Sequence, residues 1–335
     1  MTTELAHPHD RLVRRFLIDT ELMVDLLLCY PQNVDDQQAI QLLDLNHLEC
    51  RSPVAIDKNL IEGRGDLRFA TKFKGSNRQS NVFLLLEHQS SIDADFRLRG
   101  LDYIVQEFNE FRRKTKAKSK LPYPVVIVLY HGKVPWEHIP TMDELIDIVP
   151  GAKTGLLDYR LILIDISILK RDDFKGHPAL RAMLETIQRG SEGILIEEFD
   201  RIIGYFTPIK NDHRTKDWLH SLGRYVMVVA RIGTEVGRKI IVKAFSKIFT
   251  ETEADDMTRT MAEELIMEGE VNGIAKGEIK AGRDMVLTVL RARFKRIPEE
   301  VEKAISQMND TISLKSWAAQ AATCQSMDEF TDMLR

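Results

Sequence analysis

Asp66 stands near the start of one apolar β-type run, Gly65-Asp-Leu-Arg-Phe-Ala-Thr-Lys-Phe73, and Glu87 and Gln89 close another, Val82-Phe-Leu-Leu-Leu-Glu-His-Gln-Ser90. The polar segment from Lys74 to Ser80 predicts an antiparallel hairpin, in which the beginning of one strand lies beside the end of the other. Asp66 and Glu87 are therefore expected at one end. Side chains alternate faces, so Glu87 and Gln89 share a face, and Asp66 joins them if the numbers of directly paired residues sum to an odd value. The pattern fixes proximity and leaves that register open. Two carboxylates a few ångströms apart repel, and one protonates unless positive charge lies between them. Magnesium takes oxygen ligands in octahedral geometry and keeps several waters, so two carboxylates, a backbone carbonyl and a substrate phosphate suit it. It makes water a better nucleophile and offsets charge developing on a phosphate, which is the chemistry of phosphodiester hydrolysis. The alternative is that these acids are solvated strand ends or helix caps.

The surrounding elements must hold this pair. A first helix is expected from about Asp10 to Cys29, with Leu12, Phe16, Leu22, Val24, Leu26 and Leu27 apolar and Pro31 ending it. His9 and Asp10 read as its cap, or as acidic support near a metal. Short β-like pieces at Leu42 to Glu49 and Pro53 to Asp57 precede the hairpin. After Ser90 and Asp93 a helix runs through Arg113, its core stripe being Phe96, Leu101, Ile104, Val105, Phe108 and Phe111. Arg99 and Tyr103, four apart on another face, can reach a phosphate or pair with nearby carboxylates. Val125 to Tyr130 and Tyr159 to Ser167 are near-continuous apolar runs, as in strands buried on both faces. The order points to an α/β sandwich with a mixed sheet. His131, at the exit of one strand, reads as a hydrogen-bonded structural residue ahead of a base, and Trp136 as packing. Leu180 to Phe249 is mostly helical, interrupted near Thr207-Pro208, with no sign of chemistry.

Charge is uneven along the 335 residues: 251–335 holds 11 basic against 17 acidic residues, and the first 250 hold 36 against 34. Within the front part, Arg112, Arg113, Lys114, Lys116, Lys118 and Lys120 form a dense run. Such a run can line a duplex, because phosphate contacts supply most sequence-independent affinity. It equally suits a solvated helix end, where the helix dipole favours cations. The longest apolar runs fall well short of the roughly 20 residues that span a bilayer, and the N-terminus lacks a secretory pattern. A cytoplasmic chain with no membrane contact is expected. Cys29, Cys50 and Cys324 are odd in number and far apart, which argues for free, buried thiols and against a disulfide framework or a zinc site.

In the tail, Gly269, Gly273 and Gly277 recur every fourth residue, with Gly282 beyond. Each lowers helix stability by about 1 kcal/mol relative to Ala, so a partner helix is expected to compensate. Val286, Leu287, Leu290 and Phe294 resume an apolar stripe, Pro298-Glu-Glu opens another helix, and Ser326 to Glu329 forms a capping box for the last. Close-packed helices here are expected to join subunits into a homo-oligomer, which would bring two catalytic sites into one particle.

Taken in order, His9-Asp-Arg-Leu-Val-Arg-Arg-Phe16, Glu87-His-Gln-Ser90, Arg99, Tyr103, Val128-Leu-Tyr-His-Gly132 and Pro135-Trp136 resemble the recombination-promoting nuclease family, whose members are also described as transposase-like. That family lies within the PD-(D/E)XK nuclease superfamily. The resemblance implies a restriction-endonuclease-like core and metal-dependent DNA cleavage with little sequence preference, linked to recombination or mobile DNA. It assigns Asp66 and Glu87 to the metal positions, with the His88 backbone carbonyl beside them. Gln89 falls where most of the superfamily has lysine, and glutamine can orient water but carries no charge. His9, Asp10, Arg99, Tyr103 and His131 are implied in support. The implied cofactor is Mg2+, or another divalent cation such as Mn2+ or Ca2+, and the implied partner is DNA. Three segments are expected: a nuclease core over 1–175, a helical extension over 176–250 and a C-terminal helical region over 251–335. Two further readings stand beside an active nuclease: an inactive relative that binds DNA or protein, and a transposase that joins strands.

Overall fold

The computed structural model describes residues 8–51, 67–76, 82–115, 119–146, 159–230, 234–294 and 296–334. Asp66, Lys116, Lys118 and the β-like piece expected at 53–57 lie outside the described residues. The chain divides into two compact units, 1–262 and 263–335.

The first unit opens with α1 (Pro8–Leu17) and α2 (Thr20–Cys29), two helices where one was expected. Asp19 makes the break: its carboxylate accepts the backbone N–H of Glu21 and caps α2. After α3 (Val34–Gln41) come β1 (Glu49–Cys50), β2 (Leu67–Thr71) and β3 (Val82–Gln89), then α4 (Phe96–Lys114), β4 (Tyr123–Tyr130), α5 (Met142–Leu145) and β5 (Arg160–Asp165). Their five strands form one sheet in sequence order. Pairing is antiparallel from β1 to β3 and parallel from β3 to β5, with α4 as the crossover between β3 and β4. This is the mixed α/β sheet expected of a restriction-endonuclease-like core. Leu67 pairs with Leu86 and Arg68 with Leu85. Those numbers sum to an odd value, which settles the register left open by the sequence for the described part of the hairpin.

One face of the sheet packs Phe83, Leu85, Val126, Val128 and Tyr130 against Phe96 and Ile104 of α4 and against Trp136. Leu101, Tyr103 and Phe108 lie partly buried against this cluster, whereas Val105, expected in the stripe, is exposed. The alternate residues Leu84, Leu86, Ile127 and Leu129 are buried on the opposite face. Gly132 lets the chain turn after β4: a Cβ there would fall 1.9 Å from the Tyr130 hydroxyl, which donates to the Val134 carbonyl at 2.8 Å.

The helices α6 (Pro178–Glu192), α7 (Leu195–Ile203), α8 (Thr215–Val229) and α9 (Thr234–Phe245) complete this unit, with a 3-10 turn at Gly204–Ile209 carrying Pro208. α6 and α8 pack on α1, and α6 also meets α2. The Glu185 carboxylate is fully buried on α6 and accepts hydrogen bonds from Arg201 and from the Tyr205 hydroxyl.

α10 (Glu251–Arg293) ends in the second unit, which continues with α11 (Glu299–Gln307), α12 (Thr311–Thr323) and α13 (Met327–Met333). Its own core includes Val286, Leu290, Val301, Ile305, Leu314, Ala321 and Phe330. A Cβ at Gly282 would lie 3.1 Å from Leu314, so α12 approaches α10 closely there, whereas at Gly273 and Gly277 it would meet nothing within 4 Å. Within one chain, a neighbouring helix therefore approaches α10 closely at Gly282 and, among the described residues, at neither Gly273 nor Gly277. Ser326 caps α13 by accepting from Glu329 N–H, which is half of the expected box; the Glu329 carboxylate accepts from the Gln325 N–H in place of the Ser326 N–H. The three cysteines are free, but Cys29 is exposed and Cys50 half-buried; burial holds for Cys324 alone because only it faces a helical core. Among the described residues, no helix is long and apolar enough to cross a membrane.

Candidate active site

The apolar residues that bury β3 stop at Leu86, so Glu87 sits where the strand leaves the core, and His88 and Gln89 are half-buried. Glu87 and Gln89 continue the face of Phe83 and Leu85, toward α4. The Glu87 side chain is 10% exposed, with Arg99 Nη2 3.1 Å from its Oε1. The same oxygen accepts from Gln89 Nε2 at 2.7 Å. Arg99 is itself shared: its Nη1 lies 2.6 Å from Asp93, and its guanidinium covers the Phe96 ring at 4.8 Å. Donors of this kind offset the cost of burying a carboxylate. Tyr103, one turn beyond Arg99, packs on the α4-side core. The strand and the helix N-terminus thus bring Glu87, Gln89 and Arg99 together.

His88 points to the other side of the sheet and joins a different group. Its ring stacks on His131 with centroids 5.6 Å apart and planes 2° from parallel. His9 lies against His131 at 4.7 Å, and the His9 Nδ1 and Tyr225 hydroxyl are 2.9 Å apart. His131 is fully buried, with Nδ1 3.1 Å from the Ser191 hydroxyl. Asp10 Oδ1 is 3.7 Å from His88 Nδ1. Burial, reinforced by His88, pulls the His9 pKa down to about 4; burial, with His9 and His88, pulls that of His131 down to about 2. His9 and His131 are therefore neutral at ordinary pH. His9 and Asp10 thus reach residues on β3, α8 and the β4 exit, where a helix-capping role was expected. The His131 backbone N–H donates to the Gln89 carbonyl at 2.9 Å, tying the end of β3 to the turn after β4.

The two sides differ as cation sites. Imidazole nitrogens suit softer transition metals, yet no group of three or more His, Cys, Asp or Glu among the described residues is arranged to hold a metal ion. The Glu87 carboxylate, on the α4 side, and the His88 backbone carbonyl, in the plane of the sheet beside it, are hard oxygen donors of the kind magnesium takes. Asp66, the other carboxylate of the expected set, lies outside the described residues.

Arg112, Arg113 and Lys114 occupy the last turn of α4, about 20 Å from Arg99 at 1.5 Å of helix rise per residue. Arg112 donates to the Ser119 carbonyl and Lys114 to Glu110, and Lys120 is exposed. This part of the basic run therefore lies at the far end of α4 from Glu87.

Asp93, Ser191 and Tyr225 were not singled out from sequence. Asp93 sits six residues before the arginine it binds and read as a helix start. Tyr225 meets His9 across 216 positions of chain, a distance no local pattern spans.

The family model described as "Putative transposase, YhgA-like" matches residues 7–216, which contain the whole sheet, both sets of strand-end residues and α1 through α7. No curated protein and no solved structure matches the chain. The chain belongs to the YhgA-like transposase family, the one to which its ordered motifs point.

Proposed function

We propose that the protein is a divalent-cation-dependent endodeoxyribonuclease with little sequence preference, acting in recombination or on mobile DNA. The observation that carries this reading is Glu87, a carboxylate at the mouth of a buried strand, held by Gln89 and Arg99 on one face. The odd-sum register supports a partner for it, because the described ladder includes Leu67 opposite Leu86, and in the sequence Asp66 precedes the first of these as Glu87 follows the second. In this reading Asp66, Glu87 and the His88 carbonyl hold Mg2+, or Mn2+ or Ca2+ in its place. When bound, the cation supplies positive charge that offsets the charge building on the phosphate. Gln89 directs one amide N–H to Glu87, which leaves its carbonyl oxygen free to accept a hydrogen bond from the attacking water. Arg99 keeps the Glu87 carboxylate ionised and aimed. Lacking a basic side chain at position 89, the enzyme is expected to turn over modestly.

The test is nicking of supercoiled plasmid by purified protein with magnesium or manganese, with EDTA as control. Cutting that disappears in Asp66→Ala and Glu87→Gln supports the assignment. Tight DNA binding with no cutting under any divalent ion would instead select an inactive binder, and joined strands in a target plasmid would select a transposase.

Self-association belongs to the same reading. On α10, Met267, Val271 and Ile274 are all more than half exposed, and their spacing of four then three is that of a heptad seam. A second copy of the chain is the partner this seam fits, and it would give two cuts per particle. A monomeric mass by sedimentation at micromolar concentration removes this part.

A further inference from the structure

Arg68 pairs with Leu85, so its side chain lies on the same face of the sheet as Glu87. There it meets α4: Arg68 Nη1 is 3.4 Å from both Glu107 and Glu110. Between β2 and the second half of α4 lies an open groove of about 680 Å³, lined by Arg68, Gln106, Asn109, Glu110, Arg112 and Arg113. Among the described residues its lining sets three guanidinium groups and two side-chain amides against the Glu110 carboxylate, with Glu107 beside Arg68. Positive charge governs the groove, for a hydrogen bond from Lys114, with Arg68 and Arg113 nearby, holds the Glu110 carboxyl below its ordinary range.

Helix geometry links this groove to Glu87. Arg99, Gln106 and Arg113 follow one another at intervals of seven residues, which returns each to nearly the same side of α4, drifting by only about 20° per interval. The three form a ridge about 21 Å long at 1.5 Å per residue. Its first member touches Glu87 and its last lines the groove.

We propose that this groove is a second docking point for the DNA backbone, taking a phosphate about six base pairs from the one cut at Glu87, with α4 as the track between them. The spacing follows from about 3.4 Å of axial rise per base pair. The proposal rests on the nuclease reading and adds Arg68, Gln106 and Asn109 to its substrate contacts. Guanidinium and amide groups contact phosphate oxygens without reading bases, in keeping with weak sequence preference. The groove also fixes where a duplex must extend: toward β2 and the C-terminal end of α4.

The test is fluorescence anisotropy of a labelled 20-base-pair duplex with the full chain in EDTA, over a series of salt concentrations. Arg68→Gln combined with Arg113→Gln is expected to weaken binding roughly tenfold and to flatten the log–log salt dependence by about 1, the change for the one phosphate that is no longer neutralised. Because Arg68 also pairs with Glu107, circular dichroism checks that this variant folds. Asn109→Asp, at an exposed helical position, sets a negative charge in the groove while sparing that pair, and it too should weaken binding several-fold. Wild-type-like affinity and salt slope in both folded variants would overturn the groove and leave the nuclease reading standing. A wild-type protein showing no salt-dependent DNA binding would overturn both.

Discussion

Three consecutive residues, Glu87, His88 and Gln89, serve opposite sides of one sheet, and the two sides solve burial differently. On the α4 side, the mostly buried Glu87 carboxylate has Arg99 and Gln89 within hydrogen-bonding distance to offset its burial. On the α1 side, His88, His131 and His9 gather with Asp10, which lies 3.7 Å from His88. There His9 and His131 meet burial by staying neutral. One side presents a carboxylate, while the other clamps the strand end through the His131 N–H bond to Gln89. A strand end with alternating polarity can thus carry an acidic group and its anchor on adjacent residues.

Glu87→Gln tests this division most sharply. It preserves shape and removes the charge, so plasmid cutting should fall on the order of a thousandfold while the melting temperature stays within a few degrees of wild type. Arg99→Ala acts on the aim of Glu87 and should cost about ten- to a hundredfold in cutting rate, the range seen when a supporting residue of a metal site is removed. His131→Phe keeps the ring and should mainly cost stability. If it abolished cutting as fully as Glu87→Gln in a folded protein, the histidine side would be part of the chemistry and the division would be wrong.

Gly132→Ala strikes both sides through the backbone. The added Cβ would overlap the Tyr130 hydroxyl on the α4 side and displace the peptide next to His131 on the other. Overpacking of this kind costs about 1–3 kcal/mol, read as a lower urea midpoint, with cutting per folded molecule reduced only modestly.

The hairpin, the α4 crossover and the two parallel strands were legible because each is a local pattern: Val82 to Leu86 alternates between two buried faces, and Phe96 and Ile104 recur at helical spacing. The pairing of Glu87 with Gln89 follows from strand alternation alone. What escaped depends on distant chain. Asp19 broke the first helix because a side chain captured a backbone N–H, a competition that an apolar periodicity does not reveal. His9 read as a cap since nothing nearby announces Tyr225, and the region of Ser191 and Tyr225 carries no motif. Arg68 looked like an ordinary strand residue until β2 lay under α4. Sequence disclosed the chemical group and its own strand, while tertiary packing decided which neighbours hold it.

The smallest expected effect is a pH dependence that belongs to one side of the sheet. For His9 and His131 the folded-state pKa values, down to about 4 and about 2, lie below the unfolded value near 6.5. Above pH 6.5 both states hold these rings neutral, and the contribution to stability is complete. As pH falls below 6.5 the unfolded chain binds protons that the folded protein refuses, so stability declines, down to about pH 4 for His9 and about pH 2 for His131. By pH 6 the loss is on the order of 1 kcal/mol per histidine. Burial raises the carboxyl pKa values of Asp36 and Glu107, which works in the opposite direction, so the histidine part is read as a difference between proteins. Urea midpoints at pH 7.5, 6.0 and 5.0 should fall more steeply for wild type than for the doubly substituted His9→Phe, His131→Phe protein. Parallel curves would mean that the stack accepts protons while folded, and the contrast between a charged side and a neutral one would then hold only at high pH.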